Sequence, residues 1–389
     1  MKIIRPVIIT DAMITASNVS ETDYPEFSMG TTYGEGATII DSTGLELLTL
    51  DVAPATSWVA GDFITGQTST KTAYVVAQLT SLIYQVRERT GTFSLGEIIG
   101  VTGVPAKLAD QGAAFPTITA ATNKVHKIYE SLVAGNIANY PAFDVLEPSA
   151  SRSWLEIGAT NRWCAFDEKG GSQTINTTSI TYQITPGVQI DSIALINMDA
   201  SEVNITINDP VEGEIYNKTT SLLSSEAIGV SAVIDWYSYF FSSPLKKTDY
   251  VDLEIPPYLN AIIDITIISI GGIAKVGGLI IGTQAFLGIT LNKPSIGITD
   301  YSTKVVDAWG NYEISIRSFS KRMACDLKVQ NNCVDAVELI LALHRSMLLV
   351  WVGSELYSSL IIYGFCKDFT MVIDYSVYTL YSLEVEGII

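Results

Sequence analysis

The sequence predicts a mainly β protein of several β domains in series, with one helix near 332–346. Three observations carry that reading. Runs of β-branched and aromatic residues bounded by Gly, Pro, Asn or Asp recur along the chain, as in VIDWYSYFF (233–241), YVDLEI (250–255), AIIDITIISI (261–270) and SVYTLYSLEVEGI (376–388). A period near 3.6 is clear only over residues 332–344, where apolar residues fall at i, i+3, i+4 and i+7 and Asp335 and Glu338 stand near the start. At 389 residues the chain is long enough for two or three cores, and its 48% hydrophobic residues are dispersed rather than gathered into a spanning run.

The most apolar stretch, LNAIIDITIISIGGIAKVGGLIIGT (259–283), contains Asp264, Lys275 and two glycine pairs. A membrane helix needs roughly 20 uninterrupted apolar residues, so this stretch reads as buried strands and no membrane insertion is expected. Its apolar character predicts burial on one side by its own domain and on the other by a neighbouring chain. Residues 51–103 carry a loose repeat, WVAGDFITGQTS (58–69) and GTFSLGEIIGVTG (91–103), around two alternating segments, KTAYVVAQL and SLIYQVRER. That pattern predicts a compact unit of hairpins joined by Gly turns. A short helical turn is expected around Pro105 to Gln111.

The balance of 23 Lys+Arg against 41 Asp+Glu gives a net charge of −18. Phosphate backbones repel such a chain, so nucleic acid is not an expected partner. The start MKIIRPVIITDAM is basic, but its apolar stretch is short and broken by Pro6 and Asp11, unlike a signal peptide. Cys164, Cys325, Cys333 and Cys366 have no metal-type spacing and are too sparse for a disulfide scaffold; free, mostly buried thiols in a reducing cytoplasm are expected.

The segment SWLEIGATNRWCAFD (153–167) has neither helical nor strand period. Trp154, Trp163 and Phe166 are large apolar anchors, Asn161 suits a turn, Arg162 offers a planar fork for carbonyls or a carboxylate, and Asp167 can cap or pair with Arg162. An active site and a rigid docking connector between domains are the two readings, and the second fits better. Catalytic signals are few. His344 lies on the apolar helix, and His126 precedes a strand with no neighbouring Cys, Ser or acid motif. No Gly-x-Ser-x-Gly elbow, HExxH, CxxC or Walker sequence occurs. Asp300, Asp307, Glu313 and Asp326 are spread between strands, and a paired-carboxylate glycan hydrolase would need two of them close together. No catalytic residue, metal site or cofactor is expected.

Two flanking segments carry a resemblance. YPEFSMGTTYGEGATII (24–40) and KVHKIYESLVAGNIANYPAF (124–143), joined end to end, resemble the chitin-binding type 3 module of chitinases and phage tail proteins, with Phe27, Gly30, Tyr33, Gly36, Ile39 and Tyr129 at the pattern positions. The resemblance implies a discontinuous carbohydrate-binding-like module (1–41 and 123–168) whose hairpin turn is replaced by an inserted β domain (42–122). MKIIRPVIITDAM, YESLVAGN and WLEIGATNRWCAFD are similar to a family of uncharacterised phage virion proteins encoded among tail genes. SITYQITPGVQIDSIALINMDASEVNITI (179–207) and DITIISIGGIAKVGGLIIG (264–282) resemble the edges of a galactose-binding-like jelly roll, implying a β-sandwich over 169–299 and a C-terminal β region with the helix over 300–389.

These resemblances imply a structural component of a bacteriophage tail or baseplate, located in the virion after assembly in the host cytoplasm. Its expected partners are copies of itself and other tail proteins. The alternative is a tail-associated binder of a cell-surface glycan, which would stack sugar on Phe27, Tyr33, Tyr129 or Tyr140. The competing use of those four rings is to fill a small β core or an interface.

Overall fold

The computed structural model describes the chain except residues 51–52, 55–56, 92, 94–97, 102–111, 123, 224–245, 292, 307–308, 356, 374–376 and 389; for 112–122 only the backbone is described. The strand expected at 233–241 and the helical turn expected at 105–111 lie outside the described residues. The fold is mainly β, and the chain forms two compact units, Ser20–Thr160 and Met1–Val19 together with Asn161–Ile389.

In the first unit, β3 (Thr38–Asp41) and β11 (Trp154–Ala159) flank β10 (Lys127–Ser131) in a three-stranded sheet, with the short helix α1 (Pro141–Asp144) between β10 and β11. β3 and β10 pair antiparallel from Asp41↔Lys127 to Thr38↔Glu130. Between them in sequence runs a closed six-stranded barrel: β4 (Leu45–Leu50), β5 (Phe63–Gly66), β6 (Thr72–Gln78), β7 (Ile83–Arg87), β8 (Ile98–Val101) and β9 (Gly112–Thr122), in spatial order β4-β7-β6-β5-β8-β9. Closure leaves no sheet edge to protect. The sequence repeat has a physical counterpart here. β5 and β8 pair antiparallel with Ile64 opposite Val101 and Gly66 opposite Ile99, and the repeat's leading aromatics Trp58 and Phe93 both enter the barrel core.

The second unit is built on a ten-stranded sheet, ordered β16 (Tyr250–Asp252), β13 (Ser192–Ile196), β18 (Gly278–Phe286), β1 (Lys2–Pro6), β24 (Leu349–Val352), β25 (Ile361–Val372), β26 (Tyr378–Gly387), β23 (Phe319–Gln330) and β19 (Ile289–Thr290), with β20 (Ser295–Asp300) also on β23. A five-stranded sheet, β15 (Gly213–Ser221), β14 (Glu202–Asp209), β17 (Ile262–Val276), β12 (Thr174–Ile184) and β2 (Ile14–Ser17), packs against it as a sandwich. β14 shows why the pattern folds this way: Val203, Ile205 and Ile207 point into the core while Asn204, Thr206 and Asn208 alternate outward. Its hairpin turn is set by Asp209, whose Oδ1 accepts the Val211 and Glu212 amides, and by Gly213 at φ +82°. The longest helix among the described residues, α2 (Val334–Leu343), follows a 3₁₀ turn (Asn331–Cys333) and buries Val334, Val337 and Leu341 on the other half of the ten-stranded sheet.

Several expected boundaries move. Residues 1–19 belong to the second unit, because β1 fills the gap between β18 and β24 and β2 edges the sandwich. The sandwich (169–299) and the C-terminal region (300–389) share one continuous sheet, so they are not separate layers of structure. The run 259–283 forms β17, which buries one face and is exposed at residues 270–273, and the buried start of β18. At Leu279–Ile281, β18 is covered on both faces from within its own unit, Leu279 and Ile281 on the sandwich side and Ile280 on the other, whereas Ile270 and Ile273 of β17 are exposed. Among the described residues, no helix is long and apolar enough to cross a membrane.

Candidate functional site

The four rings offered for sugar stacking are spent on packing. Phe27, Tyr129 and Tyr140 are buried with Met29, Ile39 and Trp154 in the core of the first unit, and Tyr33 is half-buried against it. Phe27 stacks on Tyr33 at 5.8 Å and meets Trp154 edge-on at 5.9 Å. No face of Phe27, Tyr129 or Tyr140 is left for a sugar, which corrects that reading. What these rings surround is a charged cluster. Arg87, at the end of β7 and 2% exposed, donates to Asp41 Oδ1 at 2.5 Å, to Glu26 Oε1 at 2.5 Å and to the Phe27 carbonyl at 3.2 Å. Its guanidinium lies 5.1 Å from the Phe27 ring and 5.5 Å from that of Tyr140. Burial pushes the Asp41 carboxyl above its ordinary value, opposed by the adjacent Arg87. The cluster ties the barrel strand β7 to the end of β3, where the chain enters the barrel. It is a latch between the barrel and the small sheet.

The connector residues separate by unit. Trp154 is fully buried in the first, its indole N–H donating to the Asn139 carbonyl at 2.9 Å. Asn161 acts as a surrogate strand in the second, exchanging two 2.8 Å bonds with the Ile175 backbone. Trp163 and Phe166 are partly buried on the sandwich core, and Phe166 meets Tyr182 edge-on at 5.2 Å. The Tyr182 hydroxyl donates to the Arg162 carbonyl at 2.6 Å. Asp167 caps a turn, accepting from the Lys169 amide and the Ser172 hydroxyl, and the expected Asp167–Arg162 pair is not among these bonds.

His126 also departs from expectation. It is buried, and its Nδ1 lies 2.8 Å from Glu21 Oε1, which also accepts from Thr160 Oγ1 at 2.7 Å. The acid was invisible because it lies 105 residues away. The threonine bonds the carboxylate and not the imidazole, so this is no nucleophile–base pair. His344 closes α2, with its Nδ1 2.8 Å from the Ile340 carbonyl. None of the four cysteines forms a disulfide: Cys325 is buried, Cys164 and Cys366 half-buried and Cys333 exposed.

A cavity of about 370 Å³ in the second unit is lined by Ile196, Asp249, Phe319, Lys321, Tyr363 and Ile388, among others. Its charged groups pair with each other. Asp249 pairs with Lys321 and accepts from the Asn197 amide and the Thr248 hydroxyl. A second network that no local motif announced joins β15 to β16, where the buried Asp252 accepts from Tyr216 at 2.7 Å, Tyr250 at 3.1 Å and Lys218 at 3.3 Å. Burial and Asp252 hold the Tyr216 phenol above its ordinary pKa. Both networks read as fasteners between strands. Among the described residues no group of His, Cys, Asp and Glu is placed to hold a metal ion.

The unexplained surface is an arm. Past the β20–β23 pairing, which ends at Asp300↔Phe319, the chain continues as a two-stranded ribbon, β21 (Thr303–Val306) and β22 (Tyr312–Ser315), paired from Thr303↔Ser315 to Val306↔Tyr312. Every residue of both strands is exposed. Trp309 and Ile316 are 89% and 88% exposed, and Val305, Val306, Tyr312 and Ile314 are each more than half exposed. None of the described residues of 295–319 enters any of the five core clusters. No protein-family model matches the chain, and no curated protein matches it.

Proposed function

We propose that this protein is a structural subunit of a bacteriophage virion, of the tail or baseplate, working by assembly and not by catalysis. The observation that carries the assembly part is the arm: an exposed ribbon rich in apolar side chains whose described residues enter none of the core clusters. Contiguous apolar surface of this kind marks an interaction site. The rest of the molecule supports the reading, since its ionisable clusters tie strands to one another. The virion assignment rests on the similarity of the GATNRW-x-x-FD connector and its flanks to phage tail-gene products. A glycan-binding role has no comparable support, because the aromatic rings it would use are core residues. Electron microscopy of the parent particle tests the reading. The expected result is density for this barrel and ten-stranded sheet at symmetry-related positions. A particle lacking the chain, with the protein found only free in lysate, would overturn it.

A further inference from the structure

We infer that the arm is a homotypic clasp: residues 301–318 of one copy pack on the body of a second copy of this chain. This rests on the structural-subunit reading and names its partner. Size is the first argument. Val305, Val306, Trp309, Tyr312, Ile314 and Ile316 alone present on the order of 800 Å² of apolar surface, about what each side of a standard protein–protein interface buries. An isolated two-stranded hairpin is marginal in water and its open edges invite pairing, so a stable arm needs a cover. Charge is the second argument. By sequence the ionisable residues of 301–318 cancel, Asp307 and Glu313 against Lys304 and Arg317, while the whole chain carries −18. Two bodies of this charge repel, and a neutral apolar arm is the part that can lie against another copy at little electrostatic cost. The chain also offers a receiving surface, since Leu339 and Leu343 are exposed four residues apart on α2 and Met347 is exposed just beyond it. One chain thus supplies both halves of an interface, which closes by symmetry.

The register supplies a clean test. Asp300 and Phe319 are cross-strand neighbours, so residues 301–318 can be replaced by Asn-Gly, a two-residue hairpin turn. Sedimentation velocity at micromolar concentration and physiological salt compares the full chain with this variant and with Ile316→Glu in the intact arm. The full chain should sediment as an oligomer, strengthened by added salt as the repulsion is screened. The deletion should be monomeric with an unchanged circular dichroism spectrum, and Ile316→Glu should weaken association by about tenfold or more, as a central contact does. Lysine cross-linking of a mixture of isotopically light and heavy chains should give mixed-isotope products at Lys304. If the deletion fails to fold, the Ile316→Glu result decides. An oligomer that survives both changes overturns the clasp while leaving the structural reading standing. A monomeric full chain whose arm becomes protected only on adding a different virion protein overturns the second-copy partner alone. A monomer that is also missing from the particle removes both.

Discussion

Replacing Arg87 by Met isolates the latch, because the thioether keeps the side chain's stem between Phe27 and Tyr140 while removing the charge. In the native protein the guanidinium bonds Asp41, which has no exposed surface, and Glu26, which is partly exposed. Removing one partner of a buried pair leaves the other charge uncompensated, at about 3–5 kcal/mol. Loss of the two ring contacts adds about 0.5–2 kcal/mol. The expected destabilisation of the first unit is therefore about 5 kcal/mol at neutral pH, and Arg87→Met with Asp41→Asn should recover more than half of it. The sign with pH follows from Asp41. Its folded pKa is already raised by burial and rises further without Arg87. A group with a raised folded pKa contributes stability that is present below its unfolded pKa and lost as pH rises through the folded one. The defect of the single variant should thus shrink on acidification toward the carboxylate range and grow above it. Hydrogen exchange read by mass spectrometry on peptides from β3, β7 and β10 reports this unit separately from the other. A cost under about 1 kcal/mol, or no recovery in the double variant, would refute the latch as a buried, compensated pair.

Trp154→Ala should cost about 3–5 kcal/mol by exchange in the same peptides, whereas the half-buried Trp163→Ala should cost about half as much, measured in the sandwich. Gly282→Ala should abolish soluble expression, because its Cβ would stand 2.0 Å from the Arg5 carbonyl oxygen where β18 pairs with β1. Replacing residues 44–124 by a short Gly-Ser turn should leave a folded but weakened three-stranded sheet, since β3 and β10 pair without the barrel; adding Asp41→Asn should restore part of the loss, read by circular dichroism and thermal melting.

Strands with one buried face were legible in the sequence, because a period of two is a local property: β14 and β26 show it plainly. The helix at 334–343 was legible for the same reason, at a period of 3.6. Pairing over long separations was not. Nothing near Ile3 announces that its neighbours lie in β18 and β24, and nothing near His126 points to Glu21. The aromatic spacing around Phe27 and Tyr33 marks large side chains on one surface but is silent on whether that surface faces water or a core. Arg87 was missed because its strand alternates polar and apolar residues, and a buried arginine is recognisable only once Asp41 is beside it. The arm was hardest. Its Val, Tyr and Ile residues read as ordinary strand, and only three-dimensional exposure shows that they bury nothing.

The position of β1 imposes an order on biosynthesis. β1 lies in the middle of the ten-stranded sheet, yet one of its two neighbours, β24, ends at Val352. At about 5–20 residues per second, the ribosome needs on the order of half a minute between making the two. The barrel and its three-stranded sheet can complete themselves in that interval, since all their strands lie within Ser20–Thr160. Ile3 and Ile4, both fully buried in the finished protein, lack β18 until Phe286 has been made and β24 until Val352 has been made. β1 is thus made long before its place in the sheet can be completed. Any factor that captures short apolar segments near the exit tunnel has its longest opportunity there.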